Sequence, residues 1–243
     1  MHYTKKLIGL AAVGILAVGC GSGDSAAPIS APAAESKPTA DSKPDAVQET
    51  TAAPQEPTLP VVVDGPQKDV LDRSTDGQLK VLPKPESGAP FTEQVEHRLQ
   101  EQLLGRIKVP GKTSAECPGG VTQKAGAVST CNVTYEGAVV PYEVKISDSY
   151  KEGGFMTFYN AKPLKGLVVA KVVYNQLFEQ YGSRSDATKL ACEEFPAAKA
   201  VDLDGDSGLT CQYWSKYGNK GDGGYETLRV KAGTYGPSFE QVR

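Results

Sequence analysis

The spacing of five cysteines limits what this chain can fold into more than any other feature. Cys20 stands alone near the N-terminus, and Cys117, Cys131, Cys192 and Cys211 lie far downstream. The downstream four form two sets whose first members are 75 residues apart and whose second members are 80 apart. Their surroundings repeat as well. Val128-Ser129-Thr130-Cys131 stands beside Gly208-Leu209-Thr210-Cys211, and Val144-Lys145-Ile146 beside Leu228-Arg229-Val230. Ahead of the first set, Thr92 is placed to cap a helix with Glu93 and Gln94 behind it. Val95, Leu99 and Leu103 then recur at helical spacing until Gly105 and Pro110. Ahead of the second set, Val169, Val173 and Leu177, with Phe178 and Tyr181, form a like stripe ended by Gly182. Each set is followed by runs of strand character: Val128–Tyr135, Val139–Ser147 and Phe155–Ala161, then Leu209–Tyr217, Tyr225–Lys231 and a last run to Val242.

The expected fold is α+β, with two tandem units at 91–163 and 164–243, each a helix packed on a small antiparallel sheet with one disulfide. Four cysteines allow three pairings. A duplicated unit should carry its own bridge, which favours Cys117–Cys131 and Cys192–Cys211.

The residues before 91 have another character. Residues 21–90 hold 11 of the 17 prolines and no aromatic residue, and carry 6 Lys/Arg against 11 Asp/Glu. Such a stretch cannot bury enough surface to offset its ordering entropy, so residues 20–90 are expected to form a disordered tether. Within it, Pro60-Val61-Val62-Val63 is an apolar patch that reads as a solvated accident or as a docking strand for a partner. At the N-terminus, Lys5 and Lys6 precede the apolar run Leu7–Gly19. At ~1.5 Å per residue that run is too short for a ~30 Å bilayer core, so 1–19 read as a signal peptide. Ala17-Val18-Gly19-Cys20 resembles a bacterial lipobox, with Ala17 where that pattern usually has Leu. The resemblance implies diacylglycerol on Cys20, palmitate-type acylation and anchoring at the outer face of the cell membrane.

The helix before Cys117-Pro118, then Gly126, Cys131 and a hairpin at Tyr135-Glu136-Gly137, resembles a domain of unknown function common in secreted and membrane-anchored actinobacterial proteins. The likeness covers roughly residues 91–160 and implies no activity. The second unit departs from the pattern at Glu193, which stands where the pattern has Pro. In architecture alone, tandem helix-plus-sheet units with one bridge each are similar to the β-lactamase-inhibitory proteins.

Catalytic chemistry is scarce. The two histidines are His2, in the signal segment, and His97, expected on the solvated face of the first helix. No Ser-His-Asp triad, Cys-His pair or multi-His zinc site can be built from them. Gly205-Asp206-Ser207-Gly208 copies the run around a trypsin-like serine but has no base to serve it. Asp202, Asp204 and Asp206 alternate as in a calcium loop, yet Ser207 and Tyr213 stand where an EF-hand needs Gly and Glu. They read as a solvated hairpin, with weak Ca²⁺ binding as the alternative. No cofactor is expected. Residues 91–243 carry 18 cations against 18 anions, so there is no basic footprint for nucleic acid.

Strand alternation offers one candidate surface. With Cys131 facing the helix, Val133 and Tyr135 face it too. The same register in the second unit puts Cys211 and Tyr213 inside and Gln212, Trp214 and Lys216 outside. Tyr225 and Arg229 then share the outer face with Trp214 and lie near Tyr217, a set of residue types common in interface hot spots. The expected function is a lipid-anchored, non-enzymatic binding module for an unidentified envelope protein or wall glycan. The alternatives are an inhibitor of an extracytoplasmic enzyme and, with less support, a carboxylate-dependent envelope hydrolase.

Overall fold

The structure, a computed structural model, describes residues 59–234 and 236–242. The signal segment, Cys20 and the tether as far as residue 58 lie outside the described residues. The elements are β1 (Val61–Val62), α1 (Phe91–Ile107), β2 (Thr113–Glu116), β3 (Val128–Tyr135), β4 (Ala138–Ile146), β5 (Tyr159–Pro163), β6 (Lys165–Val169), α2 (Ala170–Leu177), β7 (Ala187–Cys192), β8 (Ala198–Asp202), β9 (Asp206–Ser215), β10 (Gly224–Gly233) and β11 (Gly236–Gln241). The protein is thus mixed α and β, mostly sheet, with few helices. Three antiparallel sheets have the strand orders β2-β3-β4-β5, β1-β7-β9-β10-β11 and β6-β8.

Two disulfides join Cys117 to Cys131 and Cys192 to Cys211. Both link neighbouring strands. Cys192 faces Cys211 in the β7/β9 ladder. Cys117 directly follows the last β2/β3 pair, Glu116 with Asn132, and so comes opposite Cys131.

The i, i+4 stripe of α1 does what its spacing predicts. Val95, Leu99 and Leu103 are buried, joined by Leu104 and Ile107. They share a core with the inward residues Cys131, Val133 and Tyr135 of β3 and Val140, Tyr142, Val144 and Ile146 of β4. The helix starts two residues earlier than expected, with Pro90 at the N-cap position and no side-chain cap. The Thr92 hydroxyl instead accepts a hydrogen bond from the Val121 amide at 2.9 Å. At the other end Lys108 takes a left-handed conformation (φ 56°) and its N–H bonds to the Leu104 carbonyl. The second stripe divides: Val169 ends β6, α2 closes at Leu177, and a π-turn carries Phe178–Gly182. Here the strand β6 passes directly into the helix, so one apolar run serves two periods.

The run Phe155–Ala161 is not the strand expected. The ladder of β4 with β5 spans only Tyr142–Ile146 against Tyr159–Pro163, which leaves residues 155–158 outside it, tied on by the Ser147 amide to the Phe158 carbonyl (2.9 Å) and by Gln123 to the Thr157 hydroxyl (3.3 Å). Phe155, Met156 and Phe158 are exposed.

A second core gathers Val173 and Leu177 of α2 with Leu190, Cys192, Cys211, Tyr213, Leu228 and Val230. The β6-β8 ribbon lies between the two cores, and strand alternation splits its side chains. Leu167, Val169, Ala198 and Ala200 meet the first core, while Val168 and Val201 belong to the second.

From residue 59 onward the expected tether is corrected. β1 pairs with β7 through Val61 opposite Cys192 and Val62 opposite Ala191, so the apolar patch is an edge strand of this chain's own sheet. Val63 is buried in the second core and its amide donates to the Leu190 carbonyl at 2.9 Å. Further on, the Gln67 amide donates to Asn175 Oδ1 (3.0 Å), Lys171 pairs with Asp69 (2.9 Å), and the Leu71 amide donates to the Lys108 carbonyl (2.8 Å). Leu79 then enters the first core at 2 % exposure. Composition averaged over 70 residues hides these anchors because the apolar ones, at 61–63, 70–71 and Leu79, are short and widely separated among polar residues. His97, expected in solvent, is half-buried and its Nε2 lies 3.0 Å from the Val81 carbonyl, holding the end of this strap.

Candidate functional site

The strap closes one side of a cleft of about 340 Å³. Its other walls are the C-terminal end of α1 (Leu103, Arg106, Ile107), the inner face of β4 (Val140, Tyr142), strand β6 (Leu167, Val169), α2 (Val172, Asn175) and the β10–β11 turn. Helical spacing brings Leu103, Arg106 and Ile107 to one side of α1, and Val172 and Asn175 to one side of α2. The strap contributes Gln67, Val70 and Leu71. A volume of this size lies within the ~300–1,000 Å³ of small-molecule sites, and its lining joins aliphatic side chains to charged and amide ones, so it is more polar than is usual for them.

The polar groups differ in how far they are engaged. Asn175 is spent on structure: besides accepting from Gln67, its amide donates to Glu179 at 2.8 Å. Lys165 lies 3.9 Å from Asp202. Arg106 is half-buried and makes no ion pair or hydrogen bond among the described residues, whereas Arg98, Arg184 and Arg229 each meet a carboxylate. Tyr142 is 0 % exposed and its hydroxyl has no hydrogen-bond partner among the described residues. Burial pushes its phenol above the ordinary value, and the Arg106 charge pulls it part of the way back, which places the guanidinium within electrostatic reach of the orphan hydroxyl. A buried hydroxyl without a partner costs ~1–3 kcal/mol and is the kind of group a bound molecule satisfies.

The face expected around Trp214 is only partly assembled. Trp214 and Tyr225 are opposite each other in the β9/β10 ladder. Trp214 is half-buried, however, and the loop before β10 folds over it: a Cβ on Gly223 (φ 82°) would come within 2.7 Å of the indole ring. Tyr217 is exposed, with the Lys216 ammonium 4.9 Å from its ring centre. Arg229 is held by Asp206 at 2.9 Å, so its charge is already compensated. Gln212, expected outside, is 5 % exposed, whereas Cys211 and Tyr213 point inward at 0 % and 7 %. The inward register is as expected and Lys216 is exposed, but Gln212 is buried and the loop before β10 covers part of Trp214.

An aromatic cluster escaped the sequence reading. Tyr181 stacks on Tyr213 with ring centres 4.5 Å apart, and Arg184 lies 5.3 Å and 5.8 Å from the two. Arg184 is held in a fork by Asp186 at 3.1 and 2.6 Å.

The aspartates do not converge. Asp202 faces Lys165, Asp206 faces Arg229 and accepts from the Gly208 amide at 2.8 Å, and Asp204 occupies a left-handed turn position (φ 57°). Among the described residues no three acidic, His or Cys side chains group as a metal site. Ser207 of the protease-like run is 2 % exposed, and its hydroxyl donates to the Val230 carbonyl at 2.6 Å, so it ties two strands together. No protein-family model, curated protein or solved structure matches the chain.

Burial also raises the phenols of Tyr135 (to about 12), Tyr142, Tyr159, Tyr174, Tyr181 and Tyr213. A raised phenol means that the folded protein holds its proton at a pH where the unfolded chain has lost it. The stabilisation is therefore complete below about pH 10 and disappears as pH climbs toward about 12. Near-ultraviolet phenolate absorbance should show these six ionising later in the native protein than in denaturant, with unfolding midpoints falling above pH 10. Superposable native and denatured titrations would contradict it.

Proposed function

We propose that the protein is a lipid-anchored component of the cell envelope that acts as a non-enzymatic binding module, with the cleft between α1, β4, β6, α2 and the strap as its binding site. Anchoring rests on the sequence of the lipobox-like Ala17–Cys20, through diacylglycerol on Cys20 at the outer face of the membrane. Binding rests on one observation above the others: a partly aliphatic cleft of about 340 Å³ holds a half-buried guanidinium and a buried hydroxyl, neither with a partner among the described residues. Asn175, Glu179 and Lys165 nearby are by contrast engaged within the fold.

The two related units proposed from the cysteine spacing belong to the same reading. Support comes from the matching orders β2-β3-β4-β5 and β7-β9-β10-β11, from the disulfide between the first two strands of each, and from a helix ahead of each. Duplication would account for a cleft at the junction, since two half-copies meeting across the β6-β8 ribbon create a concavity neither has alone.

The experiment compares full-length wild type with Val172→Trp, which puts an indole into the cleft from an already half-buried helix position. Organic extracts of the two proteins, purified from the native envelope, are analysed by mass spectrometry. A compound retained by wild type and depleted at least tenfold in the variant supports a binding cleft. Equal contents overturn it. In the same cells, Cys20→Ser should shift the protein from the membrane fraction to the soluble one, and unchanged partitioning would remove the lipid anchor.

A further inference from the structure

We propose that the cleft takes an amphipathic anion, with an apolar chain lying over Leu103, Ile107, Val140, Leu167, Val169 and Val172 and a single acidic head group held by Arg106 and the Tyr142 hydroxyl. The inference rests on the reading of the cleft as a binding site and adds the chemistry of the ligand.

Three features select this class. First, the mixed lining includes Leu103, Ile107, Val140, Leu167, Val169 and Val172, branched aliphatic side chains that offer a chain burial and no hydrogen bonds. Second, a guanidinium taken partly out of water without a counter-charge is unfavourable unless an anion joins it, and Arg106 has five donors with no acceptor among the described residues. Third, the Tyr142 hydroxyl can donate one further hydrogen bond to the same anion, which resolves its own unsatisfied burial. The acids along the cleft do not supply the missing partner. Glu179 accepts from Asn175 and Asp72 is solvent-exposed, and neither lies in ion-pair range of Arg106. Lys108, directly after α1, adds a second half-buried cation with no ion pair among the described residues. A carboxylate of a fatty acid and a phosphate of a lysophospholipid share this chemistry.

The probe is dansylaminoundecanoate, an acidic fluorescent chain, titrated into the full-length protein alongside its uncharged methyl ester, with palmitate and lysophosphatidate as competitors. Wild type should bind the acid about tenfold or more tightly than the ester. Arg106→Gln should weaken acid binding about tenfold and ester binding much less, so that the preference is lost, and Arg106→Lys, which keeps the charge, should restore part of it. Val172→Trp should weaken acid and ester alike. Stronger displacement by palmitate or by lysophosphatidate identifies the head group as carboxylate or phosphate. If acid and ester bind equally and Arg106→Gln changes nothing, while Val172→Trp still weakens both, the anion site is overturned and the binding cleft survives. If no probe binds wild type, or Val172→Trp leaves binding unaltered, both fall. Far- and near-ultraviolet circular dichroism of each variant separates lost binding from lost folding.

Discussion

Replacing Cys192 and Cys211 together by alanine should lower unfolding free energy by about 3 kcal/mol in the chain-entropy account, for a loop spanning 19 residues. Both cysteines are 0 % exposed, so the cavities left by the sulfurs add to the loss rather than being filled by water. For a folded region of this size each kcal/mol moves the melting temperature by roughly 2–4 °C, so a fall of ~6–12 °C is expected. Cys117 with Cys131 spans 14 residues and should cost a similar amount, about 3 kcal/mol. The Cys192–Cys211 bridge has the wider consequence, because Cys192 lies opposite Val61 in β1, the strand that begins the strap. Differential scanning calorimetry of the two double variants checks both values. A melting temperature within about 1 °C of wild type for either would show that its bridge does not constrain the unfolded chain.

Leu79→Ala should destabilise the protein by ~2–5 kcal/mol, the range for a leucine removed from a packed core. The expectation is sharp because composition places this residue in a tether, where the same substitution would cost nothing. Leu79 is 2 % exposed and packs with the α1 and β4 residues of the first core. Leu82→Ala, three positions on and 76 % exposed, is the matched control and should stay within ~0.5 kcal/mol. Urea unfolding of the three proteins decides the matter. Equal midpoints for Leu79→Ala and wild type would return residues 59–90 to the status of a spacer and would leave the cleft without one wall.

Local signals were legible wherever one element met one environment. The i+4 stripe of α1 and the alternation of Cys131, Val133 and Tyr135 were readable because each has a single buried side. The same alternation extended along β4 would have turned Tyr142 inward beside Val140 and Val144, and so would have flagged a phenol in an apolar core as the first hint of the site. Arg106 carried no such signal. An arginine in the last turn of a helix is ordinary, since it complements the helix dipole. Its significance comes only from what fails to approach it. Trp214 was misread for the opposite reason: an outward register predicts solvent only when nothing folds over the strand, and the loop at Gly223 does.

The sequence by itself determined the pairing of the cysteines, the α and β character of the chain and the inner faces of α1 and β3. These follow from spacing, and spacing is local. Only the tertiary structure decided that residues 59–90 belong to the fold, that β6 and β8 divide their side chains between two cores, and that the strap, α1, β4 and α2 enclose a cleft around Arg106 and Tyr142. Those features depend on which surfaces meet at long range. A short apolar run such as 61–63, or a single Leu79, in a polar stretch contributes burial only when a distant element supplies the other half of the contact, and no periodicity within the stretch records that partner.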